Sequence, residues 1–292
     1  MNQKNVILGL GNVLNTYKFW LPKGQISRLK YRKWLPLIQD SPLARVSAFM
    51  VAKVMGDGNL DEKFTCRFIG QFDDLCRLRE LIIKHYSIAE ASLKIRMRKY
   101  RGISYLLQVN DCLFGRFLFA LGAPVGNKTK TEFLIPEWII ASEYSKKYFL
   151  QGIFDDELAT LKVKRKRFIR EAGFKMAKLQ KYQGNLREFL SQIRNLTESF
   201  SVSCSKIDEP RFESVQKDGN KTYYQCFRIL GNRSNIINFR NNINFGLNWQ
   251  KIAELEKCIS FVKYKTVTCF FLLQCYPLFL FCSLRNRCCR KY

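Results

Sequence analysis

The sequence predicts an α+β protein built from two repeats of one plan. Segments with helical periodicity alternate with short segments in which apolar and polar residues take turns, the period of a half-buried strand. In each half an apolar helix ends at an acidic residue, Asp57 in the first and Glu157 in the second, 100 positions apart (157 − 57). Strand-like and helical segments follow both acids in the same order, which indicates an internal repeat.

The composition bounds the class of protein. The chain has 292 residues, of which 47% are hydrophobic, so wholesale disorder is excluded and about two domains are expected. Lys and Arg number 50 against 24 Asp and Glu, a net charge of +26. A charge this large predicts an anionic partner, either nucleic acid or an anionic membrane surface, and does not by itself distinguish them.

The chain divides by composition into four stretches. We expect a basic, irregular N-terminal extension over 1–44, a first repeat over 45–140, a second repeat over 141–265, and a hydrophobic Cys-rich tail over 266–292. The tail carries no charged residue from Thr266 to Leu284, about the length needed to cross a bilayer. Because Gln274 and Pro277 interrupt it, membrane contact by the tail stays a minor alternative.

The cysteines argue against a disulfide framework and against a local zinc site. There are 11 of them, an odd number, with no Cys-x-x-Cys pair, and His85 is the single histidine of the sequence. Scattered cysteines of this kind are typical of buried apolar positions in a reducing compartment. The start of the sequence shows no secretory signal pattern, and we expect a cytoplasmic, nucleoid-associated protein.

Periodicity predicts the same succession of elements in both halves. The first half predicts a helix over 46–55, a strand over 64–70, a helix over 73–86, a strand hairpin over 92–98 and 103–109, and a helix over 113–121. The second half predicts an apolar helix over 148–154, a very basic segment over 162–170, a helix over 186–200, a strand hairpin over 212–216 and 222–230, and a short helix containing Trp249.

One predicted strand carries a basic face. Lys94, Arg96 and Arg98 alternate with apolar residues, so the three cations share one side of the strand. A solvated sheet face and a nucleic-acid contact are both compatible with this pattern. Arginine can bind guanine edges bidentately and lysine neutralises phosphates.

The two acidic helix ends suggest a metal site. Ala48, Ala52 and Gly56 line one face of the first helix, and Gly152 offers the same small surface in the second. If these faces pack together, the two acidic residues approach each other, and their carboxylates repel unless cations lie between them. Mg²⁺ is the natural candidate, since it is held by one or two carboxylates with water and substrate phosphate.

Two segments at these helix ends resemble the motifs of a known family. Met50–Gly58 (MVAKVMGDG) and Leu150–Leu158 (LQGIFDDEL) resemble the two motifs of the LAGLIDADG homing endonucleases in their monomeric two-repeat form. The stretches 117–129 and 135–139 are similar to the archaeal, intein-related (DOD-type) branch. The resemblance covers about residues 46–260, and it departs from the family pattern at Met55 and Leu158.

The resemblance implies both a fold and an activity. The fold would be two pseudo-symmetric αββαββα repeats, with the motif helices at the interface and two four-stranded sheets forming a saddle over DNA. The activity would be site-specific double-strand cleavage of DNA at a long asymmetric target, serving homing of an intron or of a free-standing element. The cofactor would be Mg²⁺, for which Mn²⁺ can substitute, and the protein would act as a monomer without a small-molecule substrate.

The resemblance also implies roles for particular residues. Asp57 and Glu157 would be the catalytic residues and would each bring a metal ion to one strand, with Gly56 and Asp156 as further candidates for metal binding. Basic residues on the strands and near the metals would bind DNA: Lys94, Arg96, Arg98, Lys128, Lys130, Lys162, Lys164, Arg228 and Lys251.

Two other classes of function stay open at this point. One is a nucleic-acid-binding protein that has lost cleavage, such as an RNA maturase or a transcription regulator. The other is a membrane-associated basic protein, for which the tail is the supporting feature. Histidine-based nuclease schemes are disfavoured, because His85 is the single histidine and is expected to be structural. Serine and cysteine nucleophile schemes are disfavoured because they would lack a partner base.

Overall fold

A computed structural model describes most of the chain. The described ranges are 6–8, 23–99, 102–164, 168–216 and 218–261. The predicted hydrophobic tail and the basic residues at 101 and 165–167 lie outside them.

The first half of the chain follows the order helix, two strands, helix, two strands, helix from α2 onward, and the second half follows the same order from α6 with one additional strand before α7. The first half consists of β1 (Val6–Leu8), α1 (Lys23–Tyr31), β2 (Leu37–Ile38), α2 (Pro42–Met55), β3 (Asn59–Leu60), β4 (Cys66–Gly70), α3 (Phe72–Tyr86), β5 (Leu93–Lys99), β6 (Ile103–Val109) and α4 (Cys112–Ala120). The second half consists of α5 (Glu137–Ile140), α6 (Glu143–Glu157), β7 (Lys162–Lys164), β8 (Phe168–Arg170), β9 (Ala172–Leu179), α7 (Gln183–Ser199), β10 (Arg211–Val215), β11 (Lys221–Ile229), α8 (Arg233–Asn238) and α9 over 249–261. The predicted α+β class is confirmed.

The two main sheets are antiparallel, and the three strands of the second sheet, β9, β11 and β10, correspond in order to β4, β6 and β5 of the first. The first sheet has the order β3-β4-β6-β5, and the second has β10-β11-β9. In the second sheet an isolated bridge between Leu158 and Phe174 takes the place that the β3–β4 pair holds in the first. The expectation of a second four-stranded sheet is therefore met by three strands and a single bridge, because the chain after Leu158 turns into the separate hairpin β7–β8.

The basic face predicted for the hairpin is present on the first sheet. Leu93 of β5 is buried, whereas Lys94 and Arg96 point to the opposite, solvent-facing side. Cross-strand register places Lys94 opposite Gln108 of β6, which in turn lies opposite Arg67 of β4. The apolar side of the sheet packs on α3 and α4, so the cations face away from the core.

Helices α2 and α6 pack directly against each other, as the small residues predict. A Cβ placed on Gly152 would lie 2.7 Å from the backbone oxygen of Phe49 and 3.0 Å from the Cβ of Ala52. Each helix begins at a serine that caps it: the Ser41 hydroxyl accepts from the Ala44 amide at 3.2 Å, and the Ser142 hydroxyl accepts from the Ser145 amide at 3.1 Å. The matching caps and the close crossing determine where both helices lie.

The segment before α2 is more ordered than its composition suggested. The interpretation of residues 1–44 as irregular is wrong for 23–44, which contain α1, β2 and the capped start of α2. Trp34 is fully buried and its ring contacts Tyr86, Phe114 and Phe117 at centroid distances of 5.1–6.3 Å. One aromatic anchor thus holds a basic segment on the core of the first half.

Strand β9 has no counterpart among the predicted elements. Its core-facing positions include Lys178, whose burial breaks the apolar pattern from which strands are recognised. The Lys178 ammonium donates to the backbone oxygen of Thr131 at 2.7 Å and to the side chain of Asn185, and it lies 3.8 Å from the Phe133 ring centroid. Burial lowers the pKa of Lys178 to about 8.

The described cysteines are free thiols and are partly buried. Three of the six are buried, and Cys112 is exposed. No described helix combines the length and the apolar character that crossing a membrane requires.

Candidate active site

The ends of α2 and α6 bring the two predicted catalytic acids into one open cavity. Asp57 and Glu157 both line it, together with Lys128, Lys175 and Glu213. Asp57 is exposed, whereas Glu157 is half-buried. The two carboxylates therefore face a common space bordered by lysines, as the packing of the motif helices predicts.

The surroundings of Glu157 disfavour the charged form of its carboxyl group. Burial and then the negative charge of Asp57 raise the pKa of Glu157 to about 8, although Lys128 and Lys251 oppose the shift. A cation beside Glu157 would offset both the burial of its charge and the repulsion from Asp57. A divalent ion in the cavity would supply that charge.

Asp156 does not line this cavity, and its side chain lies instead at a smaller cavity on the α3 side of the helix ends. One of its oxygens is paired with the Lys53 ammonium, and the other accepts from the Asp57 amide at 3.1 Å. Burial raises the pKa of Asp156 to about 6, against the opposing effect of Lys53. The structure thus places both oxygens of this predicted metal ligand on protein donors.

Gly56 borders the cavity, and the Asp156 carboxylate occupies the space that a side chain at residue 56 would need. A Cβ on Gly56 would lie 2.6 Å from the Asp156 carboxylate, so the absence of a side chain allows this approach. Its amide donates to the Ala52 oxygen at 2.8 Å, which closes the last turn of α2. The backbone of Gly56 remains next to Asp57 on the rim of the cavity.

Two lysines predicted from the sequence cap the C-terminal ends of the two helices. Lys128 donates to the Met55 oxygen of α2 at 3.3 Å. Lys251 donates to the last carbonyls of α6, at 2.6 Å to Leu158, 2.8 Å to Asp155 and 3.0 Å to Phe154. Cations are favourable at the negative end of a helix. Each half thus supplies one lysine to its own acidic helix end.

Burial lowers the pKa of both lysines. It lowers the pKa of Lys128 despite the attraction of Glu157 and Asp57, and it lowers the pKa of Lys251 despite that of Asp155.

The loop that carries Lys128 is held by Gly126, whose amide donates to the Leu60 oxygen at 2.8 Å and whose φ of 84° favours glycine.

Met55 and Leu158, the two residues that depart from the motif pattern described above, differ in their surroundings from the residues at the matching positions. Asp155, at the position of Met55 in the first motif, accepts from the Gly246 and Leu247 amides at 2.9 and 2.7 Å. Met55 is instead fully buried in the apolar core. Leu158 is extended, with φ −82° and ψ 127°, and leads straight into its bridge with Phe174.

The predicted DNA-binding residues fall into separate groups. Lys162, Lys164 and Arg228 line a second cavity, over the outer face of the second sheet. The Arg228 guanidinium is bound by Asp208 at 2.8 and 3.4 Å, and Lys130 is paired with Asp218. Lys94, Arg96 and Arg98 lie on β5, the edge strand of the first sheet, and not at the acidic helix ends.

Arg67 and Lys175 are basic residues near the acidic helix ends that were missed from the sequence. Arg67 lies opposite Asn59, two residues after Asp57, whereas Lys175 follows Phe174, which bridges to Leu158 directly after Glu157, so the two positions are not equivalent. Each is paired with an acid: Arg67 with Asp61 at 2.9 Å, and Lys175 with Glu213 at 2.7 Å. The signal was their register to the acidic positions, which requires the strand pairing.

The donor set at the helix ends fits a divalent cation. Within the described ranges, no group of three or more His, Cys, Asp or Glu side chains is arranged to hold a metal ion. Two carboxylates on a solvent-facing cavity fit the way Mg²⁺ is bound, by few protein oxygens with water and phosphate oxygens completing its shell. Asp57 and Glu157 are the residues that would hold it.

Comparison with characterised proteins found archaeal sequence relatives. No family model matches the chain. It is 30% identical over 230 residues to the DNA-directed RNA polymerase subunit Rpo1N of Methanocaldococcus jannaschii, covering 73% of this chain and 17% of that protein. It is 27% identical over 269 residues to the tRNA-splicing ligase RtcB of Methanopyrus kandleri, covering 87% of this chain and 26% of that protein. The chain spans about a quarter or less of these relatives.

Solved structures similar to the chain include two homing endonucleases. The homing endonuclease I-WcaI bound to its DNA recognition sequence has a TM-score of 0.43 at 13% identity, covering 77% of this chain and 90% of that one. The I-DmoI complex with DNA and Mn has a TM-score of 0.40 at 14% identity, covering 69% of this chain and 97% of that one.

Proposed function

We propose that this chain is a two-repeat LAGLIDADG protein that cleaves double-stranded DNA with divalent metal ions held by Asp57 and Glu157. The observation that carries the proposal is the meeting of these two acids in one lysine-bordered cavity at the ends of two packed helices. Burial and the neighbouring charge of Asp57, which raise the pKa of the Glu157 carboxyl to about 8, favour a cation beside it.

The residues around the cavity have complementary roles. Asp57 and Glu157 would each hold a metal ion, and Lys128 and Lys251 place positive charge at the same helix ends. Bound Mg²⁺ or Mn²⁺ would supply a Lewis acid for the phosphate and a water of lowered pKa. Lys128 faces the cavity and offsets charge on the phosphate oxygens, while Lys251 holds the end of α6 in place.

Double-stranded DNA is the proposed partner, and a long contact fits the charge distribution. The cations of β5 lie on the outer face of the first sheet, and Lys162 and Lys164 lie on the separate hairpin β7–β8, beside a cavity over the outer face of the second sheet. A duplex across both faces would pass the acidic cavity between them. A contact of this length would read an asymmetric target with a single chain, so we propose a monomer associated with the DNA of its cell.

The relatives support an archaeal, intein-related (DOD-type) origin. A polymerase subunit, a ligase and a replication factor C subunit share similarity with this chain over 11–26% of their lengths. A segment common to proteins of such different names cannot supply the named activity of each. We infer that it is a self-contained element, and that this chain serves the homing of such an element.

A binding protein without cleavage is the second candidate. It is favoured by one observation: Asp156, adjacent to Glu157, is engaged by Lys53 and so adds no free carboxylate to the cavity. An RNA maturase or a transcription regulator would use the same basic faces and would need no metal. The membrane-associated alternative depends on a tail outside the described residues.

Cleavage of the DNA site at which the element inserts tests the proposal. Full-length protein is incubated with a plasmid carrying that site and Mg²⁺, and with a plasmid library when the site is not known. We expect double-strand breaks at one sequence, lost in Glu157→Gln and on chelation with EDTA. Binding without cutting, unchanged by Asp57→Asn, would support the binding protein instead.

A further inference from the structure

An ion pair bridges the two motif helices next to their acidic ends. Lys53 lies one helical turn before Asp57, and its ammonium is paired with Asp156 of the other helix. Both side chains are nearly inaccessible, at 12% exposure for Lys53 and 4% for Asp156. A buried pair costs desolvation, so this one is maintained by its geometry and additional hydrogen bonds.

The second oxygen of the Asp156 carboxylate reaches the backbone of the catalytic helix end. It accepts from the Asp57 amide at 3.1 Å. The approach depends on Gly56, because a Cβ there would lie 2.6 Å from that same oxygen. The carboxylate therefore links Lys53 on one side to the Asp57 backbone on the other.

The pair belongs to one half of the repeat alone. At the matching positions, 100 residues away, Ile153 stands for Lys53 and Gly56 stands for Asp156. The general geometry of two packed motif helices therefore does not require it. It is a feature added by this chain to one side of the interface.

Lys53 lies where several negative charges converge. Burial disfavours its charge, but the attractions of Asp156, Asp155 and Asp57 outweigh that effect and raise its pKa. These acids and Lys53 line the same small cavity on the α3 side of the helix ends.

We propose that the Lys53 ammonium is a fixed counterion of Asp156. It keeps the Asp156 carboxylate hydrogen-bonded to the Asp57 amide, and so prevents this carboxylate from binding the metal ions. Lys53 is thus a positioning residue, since it acts through Asp156 and Asp57. The inference rests on the proposed metal-dependent function, because it concerns which carboxylates are available to the metal. It accounts for a third acid beside the two catalytic ones that does not enter the metal site.

The test is a Mn²⁺ titration of the full-length protein without DNA, followed by electron paramagnetic resonance of free Mn²⁺. Lys53→Met removes the counterion, and we expect Mn²⁺ to bind about tenfold more tightly or more, as loss of a nearby cation predicts. Lys53→Arg keeps a cation and is expected to stay near the wild-type affinity. The double variant Lys53→Met with Asp156→Asn is expected to lose the gain.

Two controls separate this effect from general charge and folding effects. Lys146→Met removes a cation from the Lys146–Glu143 pair in the first turn of α6, about 16 Å from Glu157 at 1.5 Å per residue, and should leave Mn²⁺ affinity unchanged. If Lys53→Met fails to fold by circular dichroism, Lys53→Gln provides the same loss of charge with a donor for Asp156.

Two results would overturn the inference. One is an unchanged or weaker Mn²⁺ affinity in the folded Lys53 variant that lacks the charge. The other is an equal gain in the double variant, which would show that Asp156 takes no part. The titration contains no DNA, so the Mn²⁺ affinities do not depend on cleavage. A wild-type protein that fails to cleave DNA would contradict the proposed function but would leave the comparison of Mn²⁺ affinities valid.

Discussion

The backbone oxygen of Phe49 lies so close to Gly152 that a Cβ at residue 152 would come within 2.7 Å of it. This contact between α2 and α6 determines how near the two helix ends, and therefore Asp57 and Glu157, can come. Glycine at 152 is required by distance and not by a special backbone conformation, since it lies inside a helix.

Gly152→Ala should destabilise the protein by about 1–3 kcal/mol, because the added methyl group overpacks the helix interface. Urea unfolding measures the change. Gly184→Ala is the matched control: a methyl group added to this glycine of α7 would have no atom within 4 Å, so the substitution should be neutral or slightly stabilising. Equal effects of the two variants would contradict the close packing.

Asp57→Asn and Glu157→Gln should each reduce the rate of DNA cleavage about 10³-fold, which corresponds to about 4 kcal/mol of transition-state stabilisation. Each change removes one carboxylate that would hold a metal, so DNA affinity should remain within a few-fold. Single-turnover cleavage and a mobility-shift assay separate the two quantities. Glu188→Gln, on the exposed surface of α7, removes an acid elsewhere and should cleave normally.

Glu157 should make the metal-free protein less stable as the pH rises. Its pKa is about 8 in the folded protein against an ordinary 4.5, so between these values the folded state binds more protons than the unfolded state and stability falls with pH. Glu157→Gln removes this loss. At pH 9 its melting temperature should exceed that of the wild type by about 2–4 °C, and the difference should shrink towards pH 5. A difference independent of pH would show that the carboxyl group is not perturbed.

Replacement of Lys94, Arg96 and Arg98 by alanine should weaken DNA binding and flatten its salt dependence. Three lost phosphate contacts reduce the slope of log K against log salt by about 2.7. A control protein with Lys30, Lys84 and Lys257 replaced by alanine loses the same charge from helices and should keep its slope. Fluorescence anisotropy at several salt concentrations measures both, and matching slopes would exclude β5 from the interface.

Trp34→Ala should cost about 3–5 kcal/mol, because it empties a fully buried site between α3 and α4. Trp249, which is 41% exposed, is the matched control, and its replacement by alanine should cost less than half as much. Thermal unfolding of both variants gives the comparison. A small effect at Trp34 would mean that residues 23–41 contribute little to the core of the first half.

Much of the candidate site was predictable because it depends on local patterns. Alternation along β5 put Lys94 and Arg96 on one face and Leu93 on the other, and the structure confirms the arrangement. Small residues on α2 predicted its close contact with Gly152. Periodicity and residue size act within one element, so they can be found without knowing what that element packs against.

The sequence by itself determined the α+β class, the repeat of two acidic helix ends and the basic face of β5. Tertiary structure alone decided that Lys53 pairs with the Asp156 carboxylate, that Lys175 borders the cavity of the two acids, and that Lys178 lies buried in a strand. The physical reason is range. Helix faces and strand alternation follow from neighbours a few residues apart, whereas an ion pair across 103 positions exists only after two helices have packed.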